Sequence, residues 1–226
     1  MTKEAIRARI RECGIIPSVR LSSAADARFA AETVSEAGIP IVEITMTVPG
    51  ALDVIRDLTR SMPDLIVGAG TILDSETLRH CMGAGARFVT SPGLDLQLVE
   101  FARKEGILAI PGALTPTEIT AASQAGADLI KVFPCAQLGG ASYIRALRAP
   151  FPHVPLVASG GVTQQTAAEF ILAGAVAIGV GAELIPRMAV QQRDHRWIGE
   201  LARRFLAIVQ DARSRLRRPD GGAEPR

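Results

Sequence analysis

The sequence predicts an α/β protein built as a single (β/α)₈ barrel with an N-terminal lead-in helix. Three observations carry that expectation. Eight short apolar runs recur along the 226 residues, segments of helical periodicity separate them, and five of the junctions share one grammar of helix end, glycine and strand.

The segment at 3–13, KEAIRARIREC, reads as a helix that covers the floor of the barrel. The apolar runs follow: IIPSVR from Ile15, IVEIT from Ile41, LIVGAG from Leu65, FVTSPG from Phe88, ILAIPG from Ile107, LIKVFP from Leu129, PLVASGG from Pro155 and VAIGVG from Val176. Each is partly β-branched and ends in Gly, Pro, Ser, Thr or Arg, as expected of strands buried on both faces of a parallel sheet. Their starts lie about 20 to 26 residues apart, room for one helix and two short loops. DARFAAETVSEAG, GALDVIRDLTRSM and TPTEITAASQAG have the spacing of such helices. Gly38, Gly85, Gly106, Gly126 and Gly174 stand where a left-handed residue stops a helix before the next strand. Five such junctions argue for an iterated βα unit. A doubly wound open sheet is the alternative, but no GxGxxG follows the first strand. Residues 1–216 form the expected domain, and the Gly/Pro/charge-rich tail at 217–226 is expected to be disordered.

Composition narrows the partners. A net charge of +2 gives no reason to expect nucleic acid or an anionic membrane. Arg213, Arg215, Arg217 and Arg218 read as a solvated helix end suited to the dipole. Cys13, Cys81 and Cys135 are odd in number and unevenly spaced, which fits neither a disulfide framework nor a zinc motif and suggests a reducing, cytoplasmic setting. The N-terminus is charged rather than signal-like, and no apolar run reaches membrane-spanning length.

Barrels of this kind carry chemistry at the C-terminal ends of the strands. Of 25 basic residues only three are lysines, and Lys131 alone sits inside an apolar strand. Alternation puts Leu129, Lys131 and Phe133 on one face and Ile130 and Val132 on the other. Inside a barrel an ammonium is short of water, and the neutral amine is the form that attacks a ketone. Glu43 is the one carboxylate in the middle of an expected strand, sharing a face with Ile41 and Thr45. It suits proton transfer to and from a carbon acid, or a structural ion pair with the lysine. The Gly-rich ends SGGV and GVGAEL suit backbone binding of phosphate. His80, His153 and His195 have no metal-ligand spacing and read as surface groups. Cys135 reads as a small buried residue, and Trp197 and Tyr143 as packing.

Together these residues resemble the 2-keto-3-deoxy-6-phosphogluconate and 4-hydroxy-2-oxoglutarate aldolases. Glu43-Ile-Thr, GAGT ending at Thr71, SPG at 91–93, IPG at 110–112, KVFP at 131–134 and Gly160–Gly161 occur in order between about Ile15 and Ile185. The resemblance implies a homotrimeric TIM barrel and a cofactor-free, metal-free class I mechanism on a 2-keto acid. It implies Lys131 as the Schiff-base lysine and Glu43 as the general acid/base. Thr71, Ser91 and Pro92 would line the pyruvyl site, Phe133 would pack beside the lysine, and Gly160, Gly161 and Gly181 would hold a distal phosphate. Two positions depart from the pattern. Thr47 stands where phosphogluconate members carry an arginine for the carboxylate, and Ala182 where a serine usually reaches the phosphate. Arg20, at the first strand end, is similar to an arginine of members acting on the galactonate epimer and is expected to supply the carboxylate or proximal hydroxyl contact. Two competing readings remain at this point: a phosphate-binding barrel isomerase or synthase without a covalent step, and a non-catalytic barrel subunit.

Overall fold

The computed structural model describes residues 1–217. The chain opens with α1 (Lys3–Cys13), capped by Thr2, whose hydroxyl accepts the Ala5 N–H. Its buried Ile6 and Ile10 pack on the inward-facing Ile41, Ile66, Phe88, Leu108 and Leu129. The lead-in helix therefore closes the N-terminal end of the barrel.

Among the described residues the strands are β1 (Ile15–Val19), β2 (Ile41–Thr45), β3 (Ile66–Gly70), β4 (Phe88–Thr90), β5 (Leu108–Ile110), β6 (Gly112–Ala113), β7 (Ile130–Val132), β8 (Leu156–Ser159) and β9 (Ala177–Val180). They are parallel and adjoin in the order β5-β4-β3-β2-β1-β9-β8-β7-β6. The helices α2 (Ala24–Glu36), α3 (Ala51–Ser61), α4 (Ser75–Ala84), α5 (Leu96–Glu105), α6 (Pro116–Gln124), α7 (Ala141–Arg148) and α8 (Gln164–Leu172) fill the crossovers. A short α9 (Arg187–Gln191) and the long α10 (His195–Arg217) follow β9. This is the (β/α)₈ barrel the sequence predicts, with one difference. The fifth run is split into β5 and β6 at Pro111, which has no N–H to give a ladder. β5 pairs with β4 and β6 with β7. The Pro111 carbonyl accepts the Lys131 N–H at 2.9 Å and the Ala109 carbonyl accepts the Asp128 N–H at 3.1 Å, so the split run brings the two ends of the sheet together.

Two apolar layers follow from the period-2 alternation. Outward residues such as Val42, Ile44, Ile130 and Val132 join the helices in one core, and inward residues from Ile16 to Ala177 form the other. All five junction glycines have φ between 72° and 104°, the left-handed conformation their positions require. Toward the C-terminal end the inward positions change from Ile and Phe to Glu43, Thr90, Lys131 and Ser159, and the interior becomes a polar site.

Lys3 Nζ lies 2.9 Å from Asp128 Oδ2, tying α1 to the turn before β7. Two surface expectations need correction. Arg213 is not part of a free basic cluster, because its guanidinium donates to the carbonyls of Arg11, Glu12 and Val176 and is half-buried beneath β9. Trp197 is 41% exposed and lies outside both apolar cores. Tyr143 packs against the core as expected, and its hydroxyl also donates to the Leu114 carbonyl, fastening α7 to the loop before α6. The tail expected at 217–226 lies outside the described residues apart from Arg217, which ends α10.

Candidate active site

The C-terminal rim encloses a cleft of about 600 Å³, within the range of small-molecule sites. Six of the residues singled out in the sequence line it: Arg20, Lys131, Phe133, Gly160, Gly161 and Gly181. At its base Lys131, Glu43, Thr90 and Ser159 share a recess of about 10 Å³, room for roughly one water molecule.

Lys131 sits in the middle of β7, half-buried, with its ammonium turned into the cleft and 5.3 Å from the centre of the Phe133 ring. It is not sealed in the barrel. Its side chain has apolar neighbours below and open solvent above, so a small carbonyl compound can reach the nitrogen.

Glu43 is 3% exposed and forms no ion pair with Lys131 within 4 Å. The structural ion pair weighed from the sequence is therefore replaced by two hydroxyl donors. Ser18 Oγ donates to Glu43 Oε1 at 2.8 Å and Thr90 Oγ1 donates to Oε2 at 2.8 Å. Two short charge-assisted bonds fix the carboxylate, one from β1 beside its own strand and one from β4 across β3. Gly70 makes the space: a Cβ there would overlap the Glu43 carboxylate. We expect Gly70→Ala to displace Glu43 and lower turnover about tenfold or more, an overpacking effect of roughly 1–3 kcal/mol. Turnover measured beside a thermal melt checks this. Unchanged turnover in a folded variant would mean that the position of Glu43 is unimportant.

The remaining singled-out residues occupy the rim on the β2–β4 side. Arg20 Nη2 donates to Thr71 Oγ1 at 3.4 Å, reaching across the end of β2. Thr71 has φ 62°, a strained value for a β-branched residue and one found preferentially at functional positions. Thr47 is exposed, and its hydroxyl lies 2.8 Å from Thr45 Oγ1. Thr45 Oγ1 in turn donates to the Val19 carbonyl, so the Thr47 proton points inward. Ser91 is buried and staples its own turn, donating to the Gly93 carbonyl at 2.7 Å and accepting the Gly112 N–H at 3.4 Å. Thr47, Thr71, Ser91 and Pro92 do not line the 600 Å³ cleft.

Several polar residues of the site, Ser18, Thr90, Ser159, Glu183 and Arg187, were not singled out in the sequence. Ser18, Thr90 and Ser159 share the inward faces of β1, β4 and β8, and the alternation that exposes Glu43 and Lys131 applies to them equally. Arg187, at the start of α9, also lines the cleft and lies on no strand. Burial pushes the Cys135 thiol up to about 11, which fits its reading as a buried, unreactive residue. His80, His153 and His195 are all exposed.

Comparison with known proteins adds the following. A family model described as KDPG and KHG aldolase matches residues 6–201. The 2-dehydro-3-deoxy-phosphogluconate aldolase of Pseudoalteromonas atlantica is 32% identical, over 85% of this chain and 90% of its own length. The KHG/KDPG aldolase of Escherichia coli is 30% identical over 84% of this chain and 89% of its own. A crystal structure of KDPG aldolase from Legionella pneumophila, with pyruvate captured as a covalent carbinolamine intermediate, superposes with a TM-score of 0.82 at 29% identity. That match covers 87% of this chain and 96% of the other.

Proposed function

This chain belongs to the KDPG and KHG aldolase family, and from that premise we propose that it cleaves a 2-keto-3-deoxy sugar acid or 4-hydroxy-2-oxoglutarate through an imine on Lys131. The enzyme is an aldehyde-lyase. The observation that carries the finer reading is the juxtaposition of Lys131, open to the cleft, with Glu43 in one recess at its base. The Legionella pneumophila relative, caught with pyruvate as a carbinolamine, supports a covalent step.

In this mechanism the neutral Lys131 amine attacks the C2 carbonyl, and loss of water from the carbinolamine gives an iminium. The iminium draws the electron pair of the C3–C4 bond as it breaks. Glu43, directly or through one water, takes the proton of the C4 hydroxyl as the aldehyde departs. It returns a proton to C3 of the enamine, and hydrolysis of the imine frees pyruvate and the amine. Ser18 and Thr90 keep the carboxylate in place through both transfers. The test is reductive trapping. Borohydride added with pyruvate is expected to leave one pyruvyl-derived mass on the peptide that contains Lys131. Labelling at Lys3 or Lys104, or none, would overturn the covalent reading in favour of acid–base chemistry without an adduct.

The substrate carboxylate belongs, in this reading, to Arg20. Thr47 offers no cation, and the Arg20 guanidinium already spans the β1–β3 rim to Thr71. Removing a hydrogen bond to a charged group costs about 1.5–3 kcal/mol. Arg20→Ala is therefore expected to raise KM about tenfold or more for phosphorylated and unphosphorylated 2-keto-3-deoxy acids alike, since both carry the carboxylate. Steady-state kinetics on the pair decide it, and an unchanged KM for both would assign the carboxylate elsewhere. Phe133 packs beside the lysine at the pyruvyl end, Thr71 acts there through its contact with Arg20, and Gly160, Gly161 and Gly181 hold the other end of the substrate. Family membership also supports the homotrimeric assembly and the cytoplasmic setting that complete this reading. Among the described residues no helix is long and apolar enough to cross a membrane.

A further inference from the structure

The cleft contains a charge that the mechanism leaves unused, carried by the segment after β9, two strands away from the Lys131 strand β7. Arg187 lines the cleft together with Arg20, Lys131 and the glycines at 160, 161 and 181. It is exposed, and among the described residues no carboxylate lies within 4 Å of it. Ala182, in the loop between β9 and α9, has no side-chain donor, so the polar side chains on this segment are Glu183 and Arg187. The cleft wall thus holds two cations besides the reacting lysine, and one carboxylate. Arg20 stands on the β1 side and reaches toward β3, whereas Arg187 follows the β9 loop. Two cations on separate wall segments of one cleft suit a ligand with a negative group at each end.

We propose that Arg187 is a specificity-determining residue that binds an anionic group at the end of the substrate remote from Lys131. The inference rests on the aldolase reading for the near end of the substrate, and it concerns only the far end. A phosphate ester and a second carboxylate share the required chemistry. A guanidinium holds either with two parallel N–H donors, which a lysine at the same place does not reproduce. The backbone N–H groups of the glycine loops supply donors but no net charge, so Arg187 is the group that distinguishes a charged tail from a neutral one.

The experiment compares wild type, Arg187→Ala, Arg187→Lys and Glu183→Gln on three acids: a 6-phosphorylated 2-keto-3-deoxy acid, its unphosphorylated counterpart and 4-hydroxy-2-oxoglutarate. Arg187→Ala is expected to raise KM about tenfold or more for an acid with an anionic tail, the scale for loss of a charge-assisted contact. Its kcat should stay within about twofold, as expected when binding alone is lost. KM for the neutral-tailed acid and the yield of the pyruvate adduct should not change. Arg187→Lys should restore part of the loss, and Glu183→Gln should lower KM for the same acid. For an acid with an anionic tail, the wild-type KM should rise more steeply with salt than that of Arg187→Ala, which keeps the Arg20 contact to the carboxylate. Which anionic-tailed acid responds identifies the tail as phosphate or carboxylate.

An equal rise for all three acids, or none, would overturn the proposal. If the wild type releases pyruvate from no acid and forms no adduct, the aldolase reading fails separately. Titration with inorganic phosphate followed by NMR then decides the inference by itself: weaker binding in Arg187→Ala upholds it, and equal binding overturns it.

Discussion

Lys131→Met is expected to lose pyruvate release by about 10⁴-fold or more, the scale on which removing a covalent nucleophile acts. The same variant should lose the borohydride-trapped adduct completely. Methionine keeps an unbranched stem of similar length beside Phe133, so the β7 backbone and its bonds to β6 and β8 are preserved. Lys131→Arg separates covalency from charge. A guanidinium remains protonated and forms no imine, yet it presents a cation in the same cleft. Under the imine mechanism it should be as inactive as methionine. Substantial turnover by Lys131→Arg would show that the residue acts by its charge, and the covalent step would be abandoned.

Glu43→Gln should lower turnover by roughly 10²-fold or more, the usual contribution of a positioned general acid/base. It should still form the trapped adduct with pyruvate, because imine formation uses the lysine. The substitution is structurally mild. Ser18 and Thr90 each have a hydroxyl that can donate or accept, so the amide oxygen keeps one donor and the amide nitrogen finds an acceptor in the other. The amide side chain then occupies the space that Gly70 leaves and differs from the carboxylate chiefly in its inability to take a proton. Turnover and trapping read on the same sample distinguish the outcomes. Near-normal turnover would leave Glu43 as an interior support for the recess, and loss of the adduct would place it in the carbonyl-attack step instead.

Both expectations depend on the inward face of the barrel. The sequence by itself determined that face, because a strand's side chains alternate with period two and Lys131 and Glu43 break otherwise apolar runs. The same rule reached Ser18, Thr90 and Ser159 in principle. They lack a charge to draw attention, and only the structure shows that two of them are the partners of Glu43. The junction glycines were legible for a local reason, since a left-handed residue is needed wherever a helix stops and a strand begins. The split at Pro111 was visible as a proline in an apolar run, yet its role in joining β4 to β7 depends on the neighbours of both halves.

What only the tertiary structure decided was whatever required two distant segments to meet. The sequence left open an ion pair between Glu43 and Lys131 beside proton transfer, and the fold puts hydroxyls around the carboxylate and opens the lysine to the cleft. Arg213 read as part of a solvated cluster until α10 laid its guanidinium against the carbonyls of Arg11, Glu12 and Val176. Arg187 belongs to no strand, has no period to place it, and is one of many arginines in the chain. Its position on the cleft wall is set by the direction in which the chain leaves β9. Periodicity reports which way a side chain faces within its own element, and it carries no information about what the neighbouring element brings opposite. That is why the polar inward face was readable from the sequence and the place of Arg187 on the cleft wall was not.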